Sequence, residues 1–224
     1  MGYIQLKRKL SCGGLLCAIL DNEFCAHIHQ DIFSLAARLT RCGVDIIQYR
    51  FKSIPDRTAL EAAGRLVKIA GRYGKTCIVN DRADIAWLSG AQGVHLGQTD
   101  ISSWMARRLL GKKKIIGRTV HSQKEFNEAQ KEPVDYVSLG PVYPPGIKAH
   151  LPAWGLTSIA RLVRKSRKPV FVIGGITPHN VYSIVEKKIT HIAVAKALLQ
   201  AKDLKKTVAS FKEQICSRKP FYNR

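Results

Sequence analysis

The sequence lacks several features that would indicate a particular class of protein. No two of its six cysteines have CxxC spacing, and several lie inside apolar runs, where a free thiol packs as a small hydrophobic group. No apolar stretch approaches the roughly 18 residues that a membrane-spanning helix needs. A basic patch and a short apolar run occupy the first 20 residues, but no small-residue cleavage site follows, so the run is interpreted as a first strand rather than a signal peptide. We therefore expect a cytoplasmic protein without a membrane partner.

Acidic residues are scarce, with 16 Asp and Glu against 37 Lys and Arg and a formal net charge of +21. A positive field of this size favours anionic partners such as phosphorylated metabolites, nucleic acid or an acidic membrane surface, although a solvated basic surface is the simpler explanation. The basic runs at 112–114, 161–168 and 202–206 have no interleaved aromatic residues, unlike a surface that binds single-stranded nucleic acid. Phosphorylated small molecules are the expected partners, and nucleic acid is not.

The chain repeats one unit eight times, a short apolar run followed by an amphipathic helical segment. The runs are 14–20, 44–50, 76–81, 93–97, 114–121, 135–142, 169–176 and 190–198. Runs that are apolar on both faces are typical of parallel strands covered by helices, so eight units predict an α/β fold, a (β/α)₈ TIM barrel. The alternative is an open doubly wound sheet, but no GxGxxG motif opens the first unit.

We find no linker that would divide the chain. A single domain is expected to span 1–224, with its core at about 14–200 and a flexible C-terminal segment at about 217–224. In a barrel the functional site lies where the loops after the strands converge, so polar residues at strand ends are the candidates.

The second run ends in QYRFK. Alternation along a strand places Gln48, Arg50 and Lys52 on one side, where two cations and an amide suit a phosphoryl group. The alternative is a surface strand end whose long side chains extend into solvent.

Asp81 and Asp100 lie one unit apart at the ends of the third and fourth runs, close to Asn80 and Gln98. Carboxylate oxygens are ligands that Mg²⁺ prefers, with phosphate and water completing the octahedron. The alternative for each aspartate is a helix N-cap, because a helical pattern follows each one. The pairing on neighbouring strand ends favours a metal site.

Further candidates end the later runs. Thr119 and His121 follow the fifth run on one side of the strand, and a lone histidine there has either a structural or a catalytic role. Lys148 lies in the loop after the sixth run. Gly174 and Gly175 end the seventh run, and Ala195 and Lys196 the eighth, which is where barrels usually build a phosphate site from backbone N–H groups.

The sequence resembles the thiamine phosphate synthase family, which includes a thiazole tautomerase branch. The resemblance covers about residues 14–200 and is carried by QYRFK, VNDRADIAWLSGAQGVHLGQTD, IIGRTVHS, DYVSLGPVYPPGIK and VFVIGGITPHNV. The ND…GVHLGQ.D combination is the most specific of these, whereas IGGI recurs in many phosphate-binding barrels.

This resemblance implies a Mg²⁺-assisted transferase. It would couple hydroxymethylpyrimidine diphosphate to hydroxyethylthiazole phosphate, with pyrophosphate leaving from a pyrimidine carbocation. The implied Mg²⁺ ligands are Asp81 and Asp100, and the implied substrate contacts are Gln48, Arg50, Lys52, Asn80, Thr119, Lys148, Gly175, Ala195 and Lys196. Residues expected to take part in catalysis are Arg50, Lys52, Thr119, His121 and Lys148.

The chain departs from the family pattern at three places. Thr119 stands where the family has serine and keeps a hydroxyl, 144–147 (PPGI) replaces a threonine-rich approach to the loop lysine, and Lys196 replaces a serine. Lys196 can meet a phosphate with its amide or its ammonium.

Other functions remain open at this point. In the tautomerase branch a histidine matching His121 acts as acid and base, but the metal aspartates are generally not kept. Both aspartates are present here, which favours the synthase. The alternatives are a thiazole phosphate tautomerase or degenerate relative, and a non-enzymatic basic barrel that binds nucleic acid. The formation of a homo-oligomer is an open expectation.

Overall fold

Eight parallel strands form a closed barrel in the computed structural model, which describes residues 3–144 and 154–217. The strands are β1 (Leu15–Asp21), β2 (Ile46–Arg50), β3 (Thr76–Asn80), β4 (Gly93–Leu96), β5 (Ile115–Val120), β6 (Tyr136–Leu139), β7 (Val170–Ile173) and β8 (His191–Val194). Because β1 pairs with both β2 and β8, the sheet closes. The predicted (β/α)₈ barrel is confirmed, and the open doubly wound alternative is wrong.

Helices of the described ranges surround the barrel. They are α1 (Tyr3–Cys12), α2 (Asn22–His27), α3 (Ile32–Cys42), α4 (Asp56–Arg72), α5 (Ala83–Leu88), α6 (Ser103–Leu110), α7 (Gln123–Ala129), α8 (Leu156–Lys165), α9 (Val181–Glu186), α10 (Lys196–Leu199) and α11 (Leu204–Cys216). None of these described helices is long and apolar enough to cross a membrane.

Alternation along each strand explains why the runs are apolar on both faces. In β2, Ile46, Gln48 and Arg50 line the barrel interior, while Ile47 and Tyr49 belong to the core between the barrel and its helices. Both faces of a covered parallel strand are thus removed from water. In β2 the same alternation puts Gln48 and Arg50 inside near the carboxyl end of the strand, where the interior opens.

Helix α1 was not predicted, because the first residues were interpreted as a basic patch leading into a strand. Leu6 and Leu10 lie four positions apart on one face of the helix and are buried against Leu15 and Ile46 at the amino-terminal end of the barrel. The backbone oxygen of Leu10 accepts a hydrogen bond from Nε2 of His191 at 2.8 Å. Helix α1 therefore closes the barrel at the end opposite the expected site.

Strand ends differ from the predicted bounds where glycine or a helix intervenes. Strand β8 was expected to run to 198 but ends at Val194, and Lys196 begins the short helix α10. Strand β7 ends at Ile173 because Gly174 and Gly175 take φ values of 104° and 65°. The C-terminal segment expected to be flexible lies, from 218 onward, outside the described residues.

Candidate active site at the carboxyl ends of the strands

A central cavity of about 300 Å³ lies inside the barrel toward the carboxyl ends of the strands, and every strand or its following loop contributes to it. Its polar lining side chains are Gln48, Arg50, Asn80, His95, Thr119, His121, Tyr136 and Ser138. Five of these, Gln48, Arg50, Asn80, Thr119 and His121, are sequence-predicted site residues. The structure therefore brings most of the predicted interior set to one cavity.

The cationic side of the cavity is built on β2. Gln48 is buried, and the guanidinium of Arg50 donates a hydrogen bond to the carboxylate of Asp21 at the end of β1. The carboxylate of Asp21 also accepts from the N–H of Phe24 at 3.0 Å and so caps α2. Lys52 lies beyond the strand and is exposed. Asp21 thus holds Arg50 at the cavity wall, a role that the sequence did not reveal.

Asp81 and Asp100 lie together beside these cations, close enough for each carboxyl group to act on the charge of the other. Burial, followed by the neighbouring Asp100 carboxylate, raises the pKa of Asp81 to about 6, while Arg50 and Lys52 act in the opposite direction. The Asp100 Oδ2 accepts from the N–H of Gly97 at 2.6 Å. Two adjacent carboxylates that are partly withdrawn from water are costly unless a cation or a shared proton separates their charges.

The helix-capping alternative is wrong for both aspartates. The N-cap of α5 is Arg82, without a side-chain capping bond, and the N-cap of α6 is Ser102, whose hydroxyl accepts from the N–H of Met105. Both carboxylates are therefore left for another role.

The residues present fit a magnesium ion. Across residues 3–144 and 154–217, no cluster of three or more His, Cys, Asp or Glu side chains could hold a metal. A cation at Asp81 and Asp100 would thus have two protein carboxylates, with phosphate and water oxygens as its other ligands, which is the usual arrangement for Mg²⁺. Beside them, the Oδ1 of Asn80 is buried without a hydrogen-bond partner among the described residues.

A hydrogen-bonded chain of side chains forms the cavity floor. The hydroxyl of Tyr136 lies 2.9 Å from Nδ1 of His95, and Nε2 of His95 lies 2.7 Å from Oγ1 of Thr119. Gln48 lies beside the Tyr136 hydroxyl and lowers its pKa, against the larger effect of burial. Burial and then the charge of Arg118 lower the pKa of His95 to about 4. His95 is therefore neutral near pH 7, with one nitrogen donating and one accepting. The floor fixes Thr119 without placing a charge there.

The glycine-bearing end of the site is a second cavity, which shares Ile173, Gly174 and Ala193 with the first. Gly175, Ala195 and Lys196 line it. In the described part of the chain, nothing accepts a hydrogen bond from the N–H groups of Gly174 and Gly175. The ammonium of Lys196 lies 5.6 Å from the ring centroid of Phe24. This end offers backbone donors and one exposed cation to an anion.

The two remaining predicted catalytic residues, His121 and Lys148, differ in what the structure describes of them. His121 is exposed and lines the cavity, and its backbone N–H donates to Oε2 of Glu125 at 2.6 Å, which fixes its position before α7. Lys148 lies outside the described residues, so its part in the site stays a prediction from the sequence.

Sequence reasoning missed Asp21, His95, Tyr136 and Ser138. Part of the signal was present in the alternation, because Tyr136 and Ser138 lie two positions apart on one side of β6, and both line the cavity. Inside apolar runs, however, these side chains cannot be told from ordinary core residues by pattern alone.

Comparison with known proteins gives consistent results. A family profile described as thiamine monophosphate synthase matches residues 16–198. The chain is 39% identical over 191 residues to the thiamine-phosphate synthase of Shouchella clausii (strain KSM-K16), covering 85% of this chain and 90% of that protein. It is 38% identical over 163 residues to the thiamine-phosphate synthase of Synechococcus sp. (strain CC9605), covering 73% of this chain and 46% of that protein.

Similarity extends to a solved structure. The thiamine phosphate pyrophosphorylase from Pyrococcus furiosus matches with a TM-score of 0.82 and 28% sequence identity, covering 94% of this chain and 97% of that one. The chain thus spans nearly the whole of the Shouchella and Pyrococcus proteins but about half the length of the Synechococcus relative.

Proposed function

Because the chain belongs to the thiamine monophosphate synthase family, we propose that it is a transferase that joins hydroxymethylpyrimidine diphosphate to hydroxyethylthiazole phosphate. The carbon–oxygen bond to pyrophosphate breaks, a carbon–nitrogen bond to the thiazole forms, and thiamine phosphate and pyrophosphate leave. The observation that carries this proposal is the pair of adjacent carboxylates, Asp81 and Asp100, beside Arg50 and Lys52. That arrangement suits a pyrophosphate with a divalent cation.

Each side chain has a role in the proposed reaction that follows from its place in the cavity. Thr119, held by the neutral His95, and Gln48, which lies beside Tyr136, orient the pyrimidine through hydrogen bonds. Arg50 and Lys52 offset the negative charge that grows on the departing pyrophosphate. Bound at Asp81 and Asp100, Mg²⁺ would supply further electrostatic stabilisation of that anion. No side chain needs to remove a proton for the bond exchange.

At the other end, the thiazole phosphate would be held by backbone groups. The N–H groups of Gly174 and Gly175 are free to donate within the described structure, and Lys196 adds a cation at the start of α10. The two cavities share a wall, so a phosphate here would leave the thiazole ring facing the pyrimidine.

Lys148, which the sequence predicts to contact the pyrophosphate, is assigned that contact in the proposed reaction.

A second candidate function is thiazole phosphate tautomerase activity, favoured by the position of His121 on the cavity wall. Acid–base catalysis by this ring would need no metal. That activity would survive EDTA and would be lost in His121→Ala, whereas synthase activity would be lost in EDTA.

Substitution of the metal carboxylates tests the proposal. Asp81→Asn and Asp100→Asn should each lower kcat for thiamine phosphate formation by about 100-fold or more, since each removes part of the electrostatic stabilisation. Both variants should melt at or above the wild-type temperature, because the repulsion between two carboxylates is relieved. Asp56→Asn, at an exposed carboxylate paired with Arg82, is the matched control and should keep full activity. Near-normal kcat in both site variants would remove the metal assignment.

We also propose a homodimer. Six large apolar side chains, exposed by 43–65%, lie on α5, on α6 and in the loop before α6: Trp87, Leu88, Ile101, Trp104, Met105 and Leu109. This α5/α6 apolar patch exposes on the order of 500 Å², at the upper end for monomers and more than half of the roughly 800 Å² per partner of a standard interface. A second copy is the favoured occupant, because two copies of this patch can meet across a two-fold axis.

Cytoplasmic location is a further proposal. Cys17, Cys25, Cys42, Cys77 and Cys216 are free thiols, and burial raises the pKa of Cys25 to about 11. Unpaired thiols are typical of a reducing compartment.

A further inference from the structure

Arg118 lies outside the cavity and yet contacts the loop that carries a metal carboxylate. It is the fourth residue of β5, in register with Leu96, the last residue of β4. Its neighbour Thr119 lines the cavity, so alternation turns Arg118 toward the outer layer. Only 12% of its side chain is exposed. A guanidinium so far withdrawn from water must be held by acceptors.

The acceptors belong to the loop that follows β4. Nη1 of Arg118 donates to the backbone oxygen of Gly97 at 2.8 Å, and Nη2 donates to Oε1 of Gln98 at 3.3 Å. The amide nitrogen of Gln98 in turn donates to the backbone oxygen of Thr119. Two successive residues of the β4–α6 loop are therefore fastened to β5.

Gly97, one of the two fastened residues, also holds Asp100. The N–H of Gly97 donates to Oδ2 of Asp100 at 2.6 Å, while its carbonyl accepts from Arg118. A Cβ atom on residue 97 would lie 3.2 Å from Oδ2 of Asp100, which shows how closely the carboxylate approaches this backbone. A shift of Gly97 would move the hydrogen bond that fixes Asp100.

The charge of Arg118 is balanced on the side away from the cavity. Its Nε lies 3.9 Å from Oε2 of Glu132, which precedes β6. Arg118 does not line either cavity and is engaged on both faces, so it does not serve as a ligand for the substrate's phosphates. Its remaining role is to hold the β4–α6 loop in place.

We propose that Arg118 is a positioning residue: its guanidinium holds Gly97 and Gln98 so that the carboxylate of Asp100 stays beside that of Asp81. This inference rests on the proposed function, because it assigns the two carboxylates to a divalent cation. Residues that orient metal ligands from outside typically change metal affinity by about 10–100-fold when they are replaced.

The test is direct cation binding by the full-length protein, measured by Mn²⁺ electron paramagnetic resonance titration with inorganic pyrophosphate present. Arg118→Leu should weaken Mn²⁺ binding by about 10-fold or more. Arg161→Leu, at an exposed arginine on α8, removes the same charge and should bind like the wild type. Gln98→Leu breaks the other half of the contact at an exposed position that folding tolerates, and it should also weaken binding.

Comparing the Mg²⁺ concentration for half-maximal rate with kcat separates a positioning role from general damage to the active site. In Arg118→Leu the Mg²⁺ concentration for half-maximal rate should rise, while kcat at saturating Mg²⁺ should stay within a few-fold of wild type. If Arg118→Leu does not fold, the Gln98→Leu titration decides. Folded variants that bind Mn²⁺ as tightly as wild type would overturn the positioning role. A wild-type protein that binds no Mn²⁺ with pyrophosphate would instead overturn the metal part of the proposed function, and the positioning role with it.

Discussion

At the scale of single residues, Asp81 has a backbone conformation that few side chains adopt. Its φ is 67°, and its N–H donates to the backbone oxygen of His95 at 2.8 Å. A non-glycine residue in this region costs on the order of 1–3 kcal/mol and persists only where the surroundings hold it. The conformation turns the Asp81 carboxyl toward Asp100 rather than toward the first turn of α5. The strain therefore supports the metal role and not the cap.

The sequence predicts these two aspartates because they follow adjacent strands, and their pairing is visible in the motif spacing. Asp21, Arg118 and His95 could not be predicted in the same way. Their roles depend on contacts between strands whose residues are separated by at least 20 positions, such as His95 with Thr119 and Arg118 with Gly97. The pattern of apolar and polar residues predicts a strand and the side to which each of its side chains points, but it does not predict which residue that side chain contacts.

Gly175 provides a test of the phosphate end. Alanine there would place its Cβ 2.8 Å from Cβ of Tyr143 and keep a φ of 65°. Gly175→Ala should raise the KM for thiazole phosphate several-fold or more, because the loop and its amide must shift. The control is Gly74→Ala, with a φ of 63° but no atom within 4 Å of the new Cβ, which should cost about 1–2 kcal/mol of stability and leave KM unchanged. Equal KM values in the two variants would argue against a phosphate at Gly175.

At the scale of elements, the eight strands were predictable because each is covered on both faces, which leaves an apolar run with a polar end. The strand bounds were less predictable, since β7 and β8 stop where glycines and α10 begin. Helix α1 was missed because its consecutive basic residues 7–9 were interpreted as a patch before the first strand, although Leu6 and Leu10 have helical spacing. The burial of that apolar face against the barrel end, which only the fold reveals, decides that the segment is part of the structure.

The attachment of α1 to the barrel should be pH-dependent through His191. Burial lowers the pKa of His191 to about 4, against about 6.5 in the unfolded chain. As the pH falls from 6.5 toward 4 the unfolded chain takes up a proton that the folded state does not, so stability is lost, by about 2 kcal/mol at pH 5. Denaturant unfolding at pH 7.5 and pH 5 measures the total loss, to which buried His95, with a pKa also lowered to about 4, contributes as well.

His191→Phe isolates the contribution of this group. Phenylalanine keeps an aromatic ring against Phe171 but removes the titrating nitrogen and the bond to Leu10. The variant should be less stable at pH 7.5, yet lose about 2 kcal/mol less than wild type on going to pH 5. His179→Phe, at an exposed histidine, is the control. An identical pH dependence in wild type and His191→Phe would contradict the assignment.

At the scale of the whole molecule, part of the net charge of +21 lies far from the site. Buried Asp45, just before β2, accepts from Nζ of Lys212 at 2.6 Å, and the Nζ atoms of Lys75 and Lys9 lie 3.8 Å and 3.9 Å from it. Three cations thus surround one carboxylate at the amino-terminal end of the barrel. This charge joins α1 and α11 to the barrel end and is not needed to bind substrate at the opposite end.

The proposed dimer is also tested at this scale. Replacing Trp104 and Met105 together by glutamate should convert a dimer into a monomer, because four charges would face one another across the two-fold axis. Sedimentation velocity on wild type and variant measures the mass. Ile4→Glu, which charges an exposed apolar residue on α1 away from the α5/α6 apolar patch, should leave the dimer intact. A wild type that sediments as a monomer at micromolar concentration would rule out the dimer.

The most direct test of the central claim is product formation by the purified protein. Hydroxymethylpyrimidine diphosphate and hydroxyethylthiazole phosphate are supplied together, and thiamine phosphate and pyrophosphate are measured with Mg²⁺ and with EDTA. We expect the two products in equal amounts with Mg²⁺ and neither with EDTA. A folded protein that forms no thiamine phosphate with Mg²⁺, or forms it equally well in EDTA, would contradict the assignment of Asp81 and Asp100 to a cation that assists the departure of pyrophosphate.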